Sequence, residues 1–231
     1  MNKNKISVIM STYNSENTLE NAIESIISQK YSNFELLIID DCSNDSTYSI
    51  CTGYKKKYKN IRVFRNNENL GLTKSLNILI KHSTGDFIAR HDSDDVSHID
   101  RLSIQMKFIK KNKLDACTSR AKIMNSNRVI PGKSYYLPIN FHMKLKNPFI
   151  HGTLLINKNA LQAIGGYNEN FVFAQDYKLM SDLISNGYKV KVQNKILYYI
   201  NMKDNISSQF KNQQKYYADC VKNNIIPTEF K

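Results

Sequence analysis

Apolar positions in the first hundred residues alternate between two patterns. Short runs rich in β-branched residues, which are typical of buried parallel strands, occupy 6–10, 34–39, 61–64 and 86–89. Between these runs the apolar residues recur at helical spacing, which predicts helices over 18–30, 46–58 and 72–80. Because strands that alternate with helices form parallel sheets, this half of the chain predicts a Rossmann-type, doubly wound α/β fold.

The pattern becomes less regular after residue 100. It predicts helices at 99–112, 159–164 and 177–186, strands at 116–124, 153–156 and 189–199, and a tail helix after Ser208. The stretch 125–148 shows no clear period and is predicted to be a loop. No repeat or Pro-rich linker divides the chain, so we expect one domain, 1–231, with a regular half (1–100), an irregular half (101–205) and a tail helix (206–231).

Composition excludes several classes of protein. With 231 residues, 41% hydrophobic and 23% charged, the chain is neither disordered nor fibrous. Its longest apolar runs fall far short of the about 20 residues that a membrane-spanning helix needs, and no secretory leader follows Lys3 and Lys5, so we expect a cytoplasmic protein. The four cysteines lack paired metal-ligand spacing, which favours structural thiols over a zinc site.

Charge is distributed unevenly between the two halves. Residues 1–100 contain 12 Lys and Arg against 13 Asp and Glu, whereas residues 101–231 contain 21 against 7. Clustered cations attract polyanions, so the charge of the second half suggests that it binds nucleic acid, a phospholipid surface or a phosphorylated substrate. A lysine-rich solvated face with no partner fits the same counts.

Polar residues follow each of the first four predicted strands. Ligands of open parallel sheets bind beyond these strand ends. After the fourth strand, Asp92, Asp94 and Asp95 repel one another, and a divalent cation would offset that repulsion. The chain has neither a P-loop nor a Gly-x-Gly-x-x-Gly segment after a strand, so a metal would have to carry the charge of a bound nucleotide diphosphate.

Six ordered segments resemble the inverting family 2 glycosyltransferases, which have the GT-A fold. They extend over about residues 5 to 200 and read ISVIMSTYN (6–14), IIDDCSNDST (38–47), NLGLTKSLN (69–77), GDFIARHDSDD (85–95), GGYNE (165–169) and QDY (175–177). The resemblance implies a GT-A-like, mostly parallel sheet and transfer of a hexosyl or N-acetylhexosaminyl group from a nucleotide sugar.

The resemblance also implies a role for individual residues on the donor side. Ser11 and Tyr13 would hold the nucleotide, with Tyr13 against the base. Asp41 would accept a hydrogen bond from the base, typically uracil, which makes a UDP-sugar the expected donor. Lys74 would lie near the nucleotide.

The remaining implied roles concern the metal and the reaction. In the Asp-Ser-Asp (DXD) motif, Asp92 would lie near the ribose and the sugar, and Asp94 would ligate Mn²⁺ or Mg²⁺. Asp176 would be the base that deprotonates the acceptor hydroxyl. His151 matches a histidine frequent in the family, although ordinary packing explains a lone histidine equally well.

The resemblance to bacterial members implies a role in cell-surface polysaccharide synthesis, such as lipopolysaccharide, O-antigen or capsule. The acceptor would be a glycan or a saccharide on a lipid diphosphate, and the basic half would hold the enzyme at the inner face of an anionic membrane. Two alternatives stay open. A metal-dependent sugar nucleotidyltransferase should carry a glycine-rich basic loop after the first strand, where this chain has STYN (11–14). A non-catalytic polyanion-binding module that binds nucleic acid through its second half should present Lys and Arg on a recognisable reading element, and the dispersed lysines argue against it.

Overall fold

The first half of the chain forms the alternating strands and helices that its apolar pattern predicts. The computed structural model describes residues 4–132, 137–202 and 210–228. Its first four strands and three helices are β1 (Ile6–Thr12), α1 (Leu19–Ile27), β2 (Phe34–Asp40), α2 (Thr47–Lys57), β3 (Ile61–Arg65), α3 (Leu72–His82) and β4 (Phe87–Arg90). These strands are parallel neighbours in the order β3-β2-β1-β4, so their carboxyl ends lie at one edge of the sheet.

The second half continues the same sheet rather than forming a separate one. The elements that follow β4 are β5 (Val96–Ser97), α4 (Arg101–Asn112), β6 (Ala116–Ile123), β7 (Val129–Ile130), α5 (Ile139–Leu145), a 3₁₀ turn (His151–Thr153), β8 (Leu155–Asn157), α6 (Lys158–Ala163), α7 (Gln175–Ser185), β9 (Val190–Ile200) and α8 (Lys211–Lys222). Strand β8 pairs antiparallel with both β4 and β6, and β9 runs parallel to β6. The strand order is β3-β2-β1-β4-β8-β6-β9-β5, with β7 on β6.

Helices cover both faces of the sheet, as in a doubly wound fold. Alternate residues of β1 point to opposite faces. Val8 packs in a core with α1, α2 and α4, whereas Ile9 packs in a second core with α3, α6 and α7. The mixed α/β fold with a mostly parallel sheet is therefore confirmed.

Four short elements differ from the predicted pattern. The stretch 125–148 contains β7 and α5 instead of one loop, and β5 is a two-residue strand that pairs with β9. The predicted strand at 153–156 begins instead as the 3₁₀ turn and becomes β8 only at Leu155. The tail helix is α8; residues 203–209 lie outside the described part of the chain. Within the described residues, no helix is long and apolar enough to cross a membrane.

Candidate active site

A cavity of about 670 Å³ lies at the carboxyl ends of β1, β2 and β4. Five of the residues predicted for the donor side line it together: Ser11, Tyr13, Asp41, Asp92 and Asp94. Asp41 follows β2 and Asp94 follows β4, so the fold brings these distant carboxylates to one mouth. We refer to this space as the donor cavity.

Tyr13 forms part of the wall of the donor cavity, whereas Lys74 does not. Lys74 lies on α3 with an exposed side chain, and it is not among the residues that line the cavity. Tyr13 lines the cavity and is 46% exposed, so its ring is open to a planar ligand. Stacking on an aromatic face is the ordinary way in which proteins bind a nucleobase.

Asp41 is buried and holds the loop that precedes α3. Its carboxylate accepts hydrogen bonds from the Asn66 side chain (2.7 Å) and from the backbone N–H groups of Leu70 (2.9 Å) and Gly71 (2.8 Å). Gly71 has φ of +82°, a left-handed conformation that glycine adopts without strain. A carboxylate can accept about four hydrogen bonds, so Asp41 fixes this wall of the cavity and retains capacity for one more donor.

A buried arginine stabilises the first carboxylate of the Asp-Ser-Asp motif. Arg90 is only 1% exposed and donates to Asp92 Oδ1 and to the carbonyl oxygen of His91. Burial opposes ionisation of Asp92, but the Arg90 guanidinium lowers its pKa below the ordinary value, so Asp92 is charged. Arg101, which is also buried, donates to the Arg90 carbonyl at 2.7 Å and supports this arrangement from behind.

The next two carboxylates have raised pKa values. Burial, and then repulsion from Asp92, raises the pKa of Asp94 to about 6. Burial, and then repulsion from Asp92 and Asp94, raises the pKa of Asp95 to about 8, while Asp95 Oδ1 accepts the Asn201 N–H at 2.8 Å. Among the described residues Asp94 forms no ion pair, so a cation at this carboxylate would offset uncompensated negative charge.

The donor set at Asp94 fits a hard divalent cation that shares its coordination with another molecule. Carboxylate oxygens are the ligands that Mg²⁺ and Mn²⁺ prefer, and Mg²⁺ is usually held by one or two carboxylates plus substrate phosphates. In the part of the chain that the structure describes, no group of three or more His, Cys, Asp and Glu forms a complete metal cage. Phosphate oxygens would therefore have to complete such a site.

A second cavity, of about 470 Å³, meets the donor cavity at Asp92 and Asp94. Asp176, in the first turn of α7, lies in its wall. The N-cap of α7 is Ala174, so Asp176 is not the capping residue. Burial raises the pKa of Asp176, which suits a carboxylate that must take up a proton. We refer to this space as the acceptor cavity.

Asn147 orients the Asp176 carboxylate. Its amide nitrogen donates to Asp176 Oδ2 at 2.7 Å, while its amide oxygen accepts the Phe149 N–H at 3.0 Å. Because the backbone donor fixes which end of the amide is oxygen, the N–H₂ group must face Asp176. This bond favours the charged carboxylate and partly offsets the effect of burial on its pKa.

Two histidines beside Asp92 are neutral. His151 lines the acceptor cavity, and its Nε2 is 2.7 Å from the Tyr167 hydroxyl. Burial, together with the nearby Arg90, lowers the pKa of His151 to about 3. His91 is fully buried, and burial and then Arg101 lower its pKa to about 3 as well. Neither ring is protonated near neutral pH. Because their pKa values are so low, both histidines are weaker proton acceptors than the carboxylates of Asp94 and Asp176.

Two residues that support the site, Arg90 and Asn147, were not predicted from the sequence. A signal for Arg90 was present, because it is the one charged residue at the end of an otherwise apolar strand, directly before the acidic cluster. Asn147 lies in the stretch predicted to be a loop, and no spacing relates it to Asp176, which comes much later in the chain. Only the packing of α5 and α7 reveals that partnership.

The profile of a known protein family matches most of this chain. The sequence profile of Glycosyl transferase family 2 matches residues 7–168. EpsE of Bacillus subtilis (strain 168), which is named as a glycosyltransferase, is 37% identical over 170 residues, covering 71% of this chain and 60% of EpsE. The Escherichia coli UDP-Glc:alpha-D-GlcNAc-diphosphoundecaprenol beta-1,3-glucosyltransferase WfgD is 28% identical over 182 residues, covering 79% of this chain and 70% of WfgD.

Solved structures share the fold. The crystal structure of S. aureus TarS 1-349 in complex with UDP-GlcNAc matches with a TM-score of 0.77 and 25% identity, covering 89% of this chain and 61% of that one. Several of these proteins are longer than this chain, which spans about 60% of the length of EpsE. The family match at residues 7–168 includes β2 to β8 and the Asp-Ser-Asp motif, whereas Asp176 lies beyond it.

Proposed function

Because the chain belongs to glycosyl transferase family 2, we propose that it transfers a sugar from a UDP-sugar to a saccharide acceptor with inversion at the anomeric carbon. The observation that carries this proposal is the meeting of the donor and acceptor cavities at Asp92 and Asp94. A sugar held at this junction would face the diphosphate on one side and Asp176 on the other. Inversion requires that arrangement, since the acceptor must attack opposite the leaving group.

On the donor side, the proposal assigns the residues that line the first cavity. Tyr13 stacks on the uracil, Asp41 accepts a hydrogen bond from it, and Ser11 contacts the nucleotide. Asp92, which Arg90 keeps charged and oriented, contacts the ribose and the sugar. Lys74 stays assigned near the nucleotide, although its side chain lies outside the cavity wall.

Asp94 would hold the metal, Mn²⁺ or Mg²⁺, together with oxygens of the donor diphosphate. When bound, this cation stabilises the negative charge that develops on the departing UDP. The raised pKa of Asp94 supports the assignment, because burial and Asp92 create a site at which a cation is favoured.

On the acceptor side, Asp176 takes the proton. The acceptor hydroxyl oxygen forms a bond to the anomeric carbon as the bond from that carbon to the phosphate oxygen breaks. The hydroxyl proton passes to the Asp176 carboxylate, and UDP leaves with the electron pair of the broken bond. Asn147 holds the carboxylate in place through this step.

The acceptor we propose is a growing cell-surface glycan, or a saccharide on a lipid diphosphate at the cytoplasmic face of the membrane. The name of WfgD describes an acceptor of the latter kind for that protein. The basic second half supports the proposal, because its excess of cations would attract a diphosphate or an anionic membrane surface.

A transfer assay with a panel of UDP-sugars and lipid-linked saccharides tests the proposal. We expect metal-dependent release of UDP, and we expect an Asp176→Asn variant to bind UDP but to transfer sugar about a hundred- to ten-thousand-fold more slowly. Asp182→Asn is the matched control, because Asp182 lies on the same helix and pairs with Lys178 away from the acceptor cavity wall. Undiminished transfer by Asp176→Asn would refute the assigned base.

A further inference from the structure

Helix α5 presents apolar side chains to solvent at the edge of the acceptor cavity. Its inner side is packed, because His142 is buried and Met143 contacts two core clusters. On its outer side Phe141 and Leu145 are 54% and 56% exposed. They are four residues apart, so they lie on one face of the helix, one turn from each other.

Cations accompany these apolar side chains. Lys144 and Lys146 are both exposed beside them, and residues 116–168 contain seven Lys and Arg without a single Asp or Glu. Lys222, at the end of α8, lines the acceptor cavity with Lys146 and a neighbouring groove of about 540 Å³ with Lys144. Its ammonium is paired with Asp219, whereas neither Lys144 nor Lys146 forms an ion pair with a described residue.

We propose that the α5 surface, defined as Phe141, Lys144, Leu145 and Lys146, docks the protein on an anionic phospholipid membrane. An exposed apolar pair would enter the interface between headgroups and acyl chains, and the adjacent lysines would contact anionic headgroups. Charge complementarity favours this partner, because the charged side chains of the α5 surface, Lys144 and Lys146, are both exposed cations.

Docking through the α5 surface would also orient the active site. Leu145 and Lys146 line the acceptor cavity together with Asp176, so its mouth would face the membrane. This orientation would admit a saccharide whose diphosphate and lipid remain at the membrane. That consequence rests on the proposed function, whereas membrane docking itself does not.

A vesicle flotation experiment with the full chain tests the proposal without any sugar donor. The vesicles contain either phosphatidylcholine alone or phosphatidylcholine and phosphatidylglycerol in equal parts, at low and high salt. We expect binding only to the anionic vesicles and release by salt. Phe141→Ser should weaken this binding at least about tenfold and Lys144→Glu at least about fivefold, since one loses buried apolar area and the other a favourable charge.

Two matched controls decide whether the effect is local. Lys56→Glu makes the same change of charge on the exposed side of α2, and Ile99→Ser removes an exposed apolar residue before α4; both should bind vesicles like the unmodified chain. Absence of vesicle binding, or equal weakening by Lys56→Glu, would overturn the proposal. So would unchanged vesicle binding by Phe141→Ser accompanied by conversion of a dimer into a monomer, because the surface would then join two copies of the chain.

A separate measurement distinguishes a failure of membrane docking from a failure of the proposed function. Thermal stabilisation by UDP and Mn²⁺ reports on the donor cavity, and neither Phe141 nor Lys144 lines that cavity. A chain that responds to UDP but ignores vesicles would refute membrane docking alone. A chain that binds vesicles through α5 but ignores UDP would instead contradict the proposed donor.

Discussion

Single side chains set the charge of the candidate site. The surroundings of each carboxylate give it a different pKa. Arg90 keeps Asp92 ionised, whereas burial raises the pKa of Asp94 and Asp176. The sequence could place Asp92 and Asp94 at a strand end, because their spacing and position are local features. It could not show that Arg90 is paired with Asp92, because either partner could have pointed elsewhere.

The raised pKa of Asp176 predicts how sugar transfer depends on pH. A general base must be ionised, so kcat/KM should fall as pH decreases through the raised pKa of this carboxyl. The Asn147 amide favours the ionised form, so Asn147→Ala should raise the pKa further and move the acid limb of the profile to higher pH. A pH profile of kcat/KM for both proteins measures the shift; coincident acid limbs would remove the role assigned to Asn147.

The buried pair of Arg90 and Asp92 leads to a prediction about stability. Arg90→Met leaves the Asp92 charge unpaired beside two other carboxylates, which should cost about 3 kcal/mol of unfolding free energy. Arg62→Met removes a partly exposed arginine from its pairing with Glu35 and should cost less than about 1 kcal/mol. Urea unfolding compares the two variants, and equal costs would contradict the importance of the buried pair.

At the scale of elements, the regular half was predictable and the irregular half was less so. Strands β1 to β4 and helices α1 to α3 follow the predicted runs within a few residues, because each has a strong local apolar period. Helix α5 has only two turns, and β5 and β7 have two residues each, too few to show a period. Strand β5 pairs with β9, β7 pairs with β6, and α5 contacts α7. The partners of β5 and α5 lie far from them in the sequence, so residue spacing does not reveal them.

The 3₁₀ turn before β8 is packed tightly against the acidic cluster. A Cβ atom added at Gly152 would lie 2.6 Å from Asp92 Oδ2 and 2.6 Å from the Tyr198 hydroxyl. Gly152→Ala should therefore displace Asp92, lower stability by about 1–3 kcal/mol and weaken UDP-sugar binding. Gly53→Ala is the control, because nothing lies within 4 Å of the added atom on α2. Thermal unfolding with and without UDP-sugar measures both effects, and equal behaviour of the two variants would contradict this packing.

At the scale of the molecule, the continuous sheet joins two chemically different halves. The first half supplies most of the donor cavity and carries nearly balanced charge, whereas the second half supplies Asp176, the α5 surface and the excess of cations. Their cavities meet at Asp92 and Asp94, where the two substrates of a sugar transfer would have to meet. The proposed function therefore requires that a nucleotide diphosphate bind in the donor cavity together with a cation at Asp94.

Calorimetric titration of UDP into the protein tests that dependence most directly. With Mn²⁺ present the account predicts saturable binding, weakened at least about tenfold by EDTA or by Asp94→Asn, a difference of about 1.4 kcal/mol. Asp100→Asn, which alters a partly exposed carboxylate paired with Lys30, should bind UDP like the unmodified chain. Equal affinity for UDP in the Asp94→Asn variant and the unmodified chain, with Mn²⁺ present, would contradict the account.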